Sequence, residues 1–196
     1  MPVFTPLQIL NQLLKLKTNK ATAPADIPAI LIKEYAEYIC VPLCNILNTC
    51  ITRGEYPRIW KMEVQTPIPK EYPILNIEML RNISILKNFN KVAESLLAEI
   101  MVADMEHKMD KAQYGNRKGI SVQHYLMKML HTILSQLDNN SKGNTFAIIA
   151  TLIDWKQAFP RQCPTLGVQS WIDNGVRPAL IPALIDFFRD RVMQVR

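Results

Sequence analysis

Asp154 closes the run Thr145-Phe-Ala-Ile-Ile-Ala-Thr-Leu-Ile153, in which every other side chain is apolar or small, and Ala158-Phe159 follow in the next turn. A carboxylate there suits hard divalent cations such as magnesium, which take oxygen ligands; a strand end would present it with little freedom to wander. Capping the short helix that follows is the other role open to it. Cys40, Cys44, Cys50 and Cys163 have neither the close pairing nor the histidines of a zinc site. They are expected to be buried free thiols with no disulfide partner, behaving as small hydrophobes. The later acidic residues Asp173, Asp186 and Asp190 all fall in stretches of helical period.

Several elements must position this chemistry. Residues 6–17 carry apolar side chains at helical spacing and predict a helix followed by a loop at Thr18-Asn-Lys-Ala-Thr22. A second helical stretch is expected over about 27–53, with Asp26 as its cap, Pro28 in its first turn, a kink or break at Pro42 and Gly54 as its stop. Met62 to Pro69 is extended, and its two prolines demote it to an edge or irregular strand. A loop over 72–79 and a short apolar piece (Ile83, Ile85, Leu86) lead to a helix over about 88–107. A turn at Gln113 to Gly119 then precedes a helix over about 120–138. The run 145–153, bounded by Lys142-Gly-Asn144, predicts a strand buried on both faces. Helices at about 163–173 and 178–192 finish the sequence.

The 196 residues are 48% apolar and 20% charged, which excludes a disordered chain and allows one sizeable core or two small ones. No apolar run approaches the roughly 20 residues that span a bilayer, and the first residues lack a signal-peptide pattern. An intracellular protein of nucleus or cytoplasm, without membrane, is the expectation. The net charge of +6 is unevenly placed: residues 1–110 hold 12 Lys+Arg against 12 Asp+Glu, and residues 111–196 hold 11 against 5. A basic bias gathered in one segment is what a polyanion-binding surface needs, because neutralised phosphates release counterions.

Five segments resemble, in order, the conserved stretches of reverse transcriptases carried by non-LTR retrotransposons. Leu16-Lys-Thr-Asn-Lys-Ala-Thr-Ala-Pro24 with Ile27-Pro-Ala29 resembles the opening segment ahead of the fingers. Gly54-Glu-Tyr-Pro-Arg-Ile-Trp-Lys61 with Pro67-Ile-Pro-Lys70 resembles the next stretch. Arg81-Asn-Ile-Ser-Ile-Leu86 is similar to Arg-Pro-Ile-Ser-Leu-Leu, and Gln113-Tyr-Gly-Asn-Arg-Lys-Gly119 to Gln-Phe-Gly-Phe-Arg-Lys-Gly. Leu152-Ile-Asp-Trp-Lys-Gln-Ala-Phe159 resembles the first catalytic motif. The likeness covers nearly the whole chain.

The resemblance implies an RNA-directed DNA polymerase, a nucleotidyltransferase acting on RNA template, DNA primer and dNTP with Mg2+. Asp154 would be one catalytic and metal-holding carboxylate. Phe159 would lie beneath the incoming sugar, unless it is a core aromatic. Lys70 and Arg81 would meet the triphosphate, or else form a solvated surface pair. Gln113, Gly115, Arg117 and Lys118 would contact the template. The implied fold is α+β and helix-dominated, a truncated right-hand polymerase fold: helical fingers segment at 1–61, fingers at 62–144 with a small sheet over 62–86, and the start of the palm at 145–196. Departures accompany the matches. Ala23-Pro-Ala-Asp26 replaces Gly-Pro-Asp-Gly at a turn that can demand positive φ, Asn82 stands where the family has Pro, and Pro160 follows the aromatic where Asp is frequent. The sequence reaches Arg196 before any Tyr-x-Asp-Asp-like hairpin, so the expectation is a fragment inactive alone, or a non-catalytic RNA- or DNA-binding remnant of the same element.

Overall fold

The computed structural model describes residues 3–140, 147–155 and 161–196. The chain is an α+β, helix-rich protein that divides into two compact units, one of residues 1–106 with 163–196 and one of residues 107–162.

The first unit is built around three helices whose apolar residues recur at helical spacing. Helix α1 (Pro6–Lys15) starts with a capping box: Gln8 N–H donates to the Thr5 hydroxyl, and Gln8 Oε1 accepts the Thr5 N–H. Its buried side of Ile9, Gln12 and Leu13 packs on α3 (Ala36–Arg53) and α4 (Asn88–Met105). From α3 come Cys40, Leu43, Cys44, Leu47 and Ile51, and from α4 Val92, Ala93, Leu96, Leu97 and Met101, each set one stripe of a 3.6-residue period. Asn48 of α3 fastens the chain start by accepting the N–H groups of Val3 and Phe4 (2.8 and 2.9 Å) and donating to Phe4 O (3.0 Å).

The expected helix over 27–53 is interrupted at Tyr35, between α2 (Ala29–Glu34) and α3, and not at Pro42, which lies inside α3. Pro42 is exposed, so the carbonyl its ring leaves without an N–H partner stays on the solvent side. Asp26 caps a different helix from the one expected: its carboxylate accepts the Asn88 N–H at the start of α4 (2.7 Å), while α2 has no side-chain cap. Gly54 ends α3 with φ 66°, where a Cβ would stand 2.6 Å from Pro182 Cβ. The turn Ala23 to Asp26 closes through Asp26 N–H to Ala23 O (3.2 Å), and Ala25 adopts φ 54°. A left-handed backbone is therefore adopted here without glycine.

The sheet has the order β2-β1-β3. Strand β1 (Met62–Pro69) pairs antiparallel with β2 (Leu80–Ile85), from Val64↔Ile85 to Pro69↔Leu80. A small sheet over 62–86 is thus present. Strand β1 is central, however, and not an edge, because β3 (Val192–Val195) runs parallel along its other side from Met62↔Val192 to Gln65↔Val195. The prolines are compatible with this. Lys70 N–H donates to Met79 O, so even-numbered residues of β1 face β2. Lys61 O and Gln65 O accept the N–H groups of Val192 and Arg196, so odd-numbered residues face β3. Pro67 and Pro69 therefore turn their nitrogens to the side of β3 beyond its paired residues, so the ladder to β2 loses no hydrogen bond.

The last segment departs from the helix expected at 178–192 but not from the one expected at 163–173. Helix α6 (Pro164–Asp173) forms as expected, but α7 (Ile181–Phe188) ends early; Asp190 turns at φ 54°, and the chain enters β3. Asp173 closes α6 and Asp186 lies in α7, whereas Asp190 is in the turn between α7 and β3. Two ties fix this segment, one to the residues just before β1 and one to β1 itself. Asp186 accepts Tyr56 N–H (2.6 Å) and Lys61 Nζ (2.8 Å). Arg191 pairs with Glu63 (3.2 Å) and lays its guanidinium 4.2 Å from the Phe187 ring centroid.

The second unit holds helix α5 (Val122–Asn140), and no residue of 107–162 belongs to the buried apolar cluster of the described residues. The expected palm strand at 145–153 is not formed over its described part: residues 147–155 have no strand partner, and Ile149 and Leu152 are 87% and 85% exposed. Apolar run length signals a segment that gains from cover, but a strand also needs a neighbouring backbone to pair with. Residues 145 and 146 lie outside the described residues. The cysteines are all free; Cys40 and Cys44 are buried, but Cys50 is half-buried and Cys163 exposed. Cys163 precedes α6, where hydrogen bonds from the Leu166 and Thr165 N–H groups hold its thiol below the ordinary range.

Candidate nucleic-acid interface

Lys70 and Arg81 meet through the β1–β2 hairpin. Arg81 stands opposite Ile68, and Lys70 follows the last residue of β1, its N–H bonded to Met79 O at 2.8 Å. By the two-residue period of the pleat they share one face as diagonal neighbours. Arg81 is exposed, and the Lys70 ammonium is steadied by Glu78 O at 2.7 Å. Two cations side by side on an open strand pair are able to meet phosphate oxygens from solvent, one as a point charge and one as a planar fork.

The turn 113–119 is a second gathering of the expected residues. Gln113 N–H bonds Asp110 O (3.0 Å), Gln113 Nε2 reaches Gly115 O (3.1 Å), and Arg117 Nη1 lies 3.5 Å from Asp110 O. Asn116 at φ 58° and Gly119 at φ 78° reverse the chain on either side of Arg117 and Lys118. Gly115 and Lys118 are exposed. The turn rests on α5 through Tyr114, whose ring meets Tyr125 edge-on at 5.6 Å and carries Lys128 Nζ 6.0 Å from its centroid. Tyr114, Tyr125 and Lys128 were not among the expected site residues. The i, i+3 spacing of Tyr125 and Lys128 on one helix face was the available signal.

Charge follows the same division. Residues 107–162 hold 8 Lys+Arg against 3 Asp+Glu, whereas the rest of the chain holds 15 against 14. The excess therefore lies almost wholly in the second unit, with the turn and α5, where a nucleic acid would gain from it.

Asp154 stands exposed on the irregular segment 147–155, in the same unit as the turn, and Phe159 lies outside the described residues. Among the described residues no three of His, Cys, Asp and Glu come together as a metal-binding group. A pair of magnesium ions needs several oxygen ligands, and Asp154 supplies one carboxylate, so the described donor set does not fit that pair by itself. None of the helices among the described residues is long and apolar enough to cross a membrane. No family model matches the chain, and no curated protein matches it in sequence.

Proposed function

We propose that this chain is the fingers and early palm part of an RNA-directed DNA polymerase of the non-LTR retrotransposon type, and that residues 1–196 bind nucleic acid without extending a primer on their own. The observation that carries the reading is the order of five motif-like segments across nearly the whole sequence. Two features support it. Lys70 and Arg81, drawn from two successive segments, share one face of the β1–β2 hairpin, and the template-turn segment sits in the unit that holds most of the net positive charge. In this reading Gln113, Gly115, Arg117 and Lys118 meet the template strand, Lys70 and Arg81 meet nucleotide phosphates, and Asp154 is one of several carboxylates the complete reaction needs. Losing members of a catalytic unit removes most of its rate, which is why binding without synthesis is expected.

The test is primer extension on an RNA template with magnesium, using the 196-residue chain beside Asp154→Ala, with RNA binding followed in the same samples. Salt-sensitive binding without extension is the expected result, with Arg117→Gln/Lys118→Gln binding more weakly. Extension that disappears in Asp154→Ala would show an enzyme and overturn the non-catalytic part; absence of any RNA binding would overturn the reading itself.

A further inference from the structure

A groove of about 420 Å³ in the first unit is lined by α1, the loop after it, β2 and the first turns of α4. Four of its lining residues are lysines, Lys15, Lys17, Lys20 and Lys91, and none is acidic. Leu16, Ile85 and Val92 add apolar surface, and Ser84 and Ser95 add hydroxyls. That volume falls in the range of small-ligand sites, but the groove is partly open to solvent, so a strand could lie in it without threading.

The lysines are largely uncommitted. Lys17 and Lys20 are exposed and make no ion pair among the described residues. Lys91 Nζ has the neutral Asn88 Oδ1 at 3.3 Å. Lys15 reaches Glu99 only at 3.8 Å, with both groups exposed, and Glu99 is already held by Gln12 Nε2 at 2.7 Å. The start of α4 offers an anion little, because Asp26 takes the Asn88 N–H. The attraction is carried by the ammonium groups alone. Flexible point charges along a partly open groove suit successive phosphates of a chain better than one buried triphosphate, which would call for convergent, fixed donors. The lining holds no aromatic residue, so bases would gain no stacking there and binding would be indifferent to sequence.

We propose that this groove holds the phosphate backbone of a single-stranded nucleic acid, with Lys17, Lys20 and Lys91 as its principal contacts. The proposal rests on the nucleic-acid-binding function above, but concerns residues of the other compact unit, so the two fail separately. Binding of a fluorescein-labelled 12-nucleotide RNA to the 196-residue chain would be measured by anisotropy across a salt series. Lys17→Gln/Lys20→Gln/Lys91→Gln would be compared with Arg117→Gln/Lys118→Gln. Each phosphate contact on a single strand contributes about 0.7 to the slope of log K against log salt. The triple variant should therefore flatten the slope by about 2 and weaken binding roughly ten- to hundredfold at 0.1 M salt, at an unchanged melting temperature. An unchanged slope in the triple variant, with a flattened one in the double variant, would overturn the groove and leave the proposed function standing. A flattened slope in the triple variant alone would support the groove and remove the template turn. Displacement of the RNA by polyglutamate, or by a deoxynucleoside triphosphate at equal phosphate concentration, as effectively as by unlabelled RNA would overturn the assignment to a strand.

Discussion

Asp186→Ala should destabilise the first unit far more than an ordinary surface change. The Asp186 carboxylate joins α7 to the segment between α3 and β1 by accepting Tyr56 N–H at 2.6 Å and Lys61 Nζ at 2.8 Å. The Lys61 side chain is 7% exposed and that of Asp186 20%, so removing the carboxylate strands an ammonium with little water to replace it. Breaking such a pair from one side costs about 3–5 kcal/mol, against a total stability of roughly 5–15 kcal/mol for a domain. The melting midpoint should fall by about 6–20 °C. Urea denaturation followed by circular dichroism measures the loss, and a second variant gives its cause. Lys61→Met/Asp186→Leu removes both charges and should recover the part of the loss due to the stranded ammonium, while the Tyr56 N–H stays without its acceptor. A loss below about 1 kcal/mol in Asp186→Ala, or a double variant as unstable as the single one, would refute the argument that a stranded charge is the cause.

Other changes follow from the same geometry. Ala25→Gly should stabilise the chain by about 0.5–1 kcal/mol, read as a higher urea midpoint, because Ala25 holds φ 54° and only glycine occupies that region without penalty. Gly54→Ala should destabilise by about 1–3 kcal/mol in the same assay, since its Cβ would meet Pro182 Cβ at 2.6 Å in a left-handed backbone. Asp104 receives two side-chain hydrogen bonds from Arg177, which hold its carboxyl below the ordinary value of 3.8. A carboxyl lowered by folding stabilises above its unfolded pKa and loses that contribution as pH falls through the folded one. Urea midpoints should therefore decline below about pH 4, and decline less in Asp104→Asn. Leu126, Leu130, Leu134 and Leu137 leave an exposed apolar stripe on α5, so Leu130→Glu/Leu134→Glu should reduce binding of a hydrophobic-surface dye; unchanged dye fluorescence would show that the stripe is covered.

The legible parts of the fold were those in which local pattern and tertiary packing agree. The period of Ile9 and Leu13, of Leu43, Leu47 and Ile51, and of Val92, Leu96 and Leu97 marks the faces that meet in the core, and Gly54 ends α3 where its residue type suggests. What was not legible depends on partners distant in sequence. Strand β3 is four residues long, and its register on β1 is set about 130 positions away, from Met62↔Val192. Nothing in Val192 to Val195 distinguishes it locally from the end of a helix, and its presence turns β1 from an edge into the middle of the sheet. The segment 147–155 shows the converse: its composition is that of a buried strand, yet a strand exists only where another backbone completes its hydrogen bonds, and the described residues offer none.

The site divides in a similar way. The pairing of Lys70 with Arg81 follows once β1 and β2 form a hairpin, and the turn around Arg117 and Lys118 follows from Asn116 and Gly119. Tyr114 packing on Tyr125, and the lysines gathered from residues 15–20 and 91, come from chain folding that composition alone does not reveal.

Salt-dependent binding of single-stranded RNA to the 196-residue chain tests the central claim most directly. A linear fall of log K with log salt, with a slope reduced by about 1.4 in Arg117→Gln/Lys118→Gln and no primer extension in the same samples, is the result expected of a binding portion of a polymerase. RNA binding that is absent, or that is indifferent to salt and to those two residues, would contradict it.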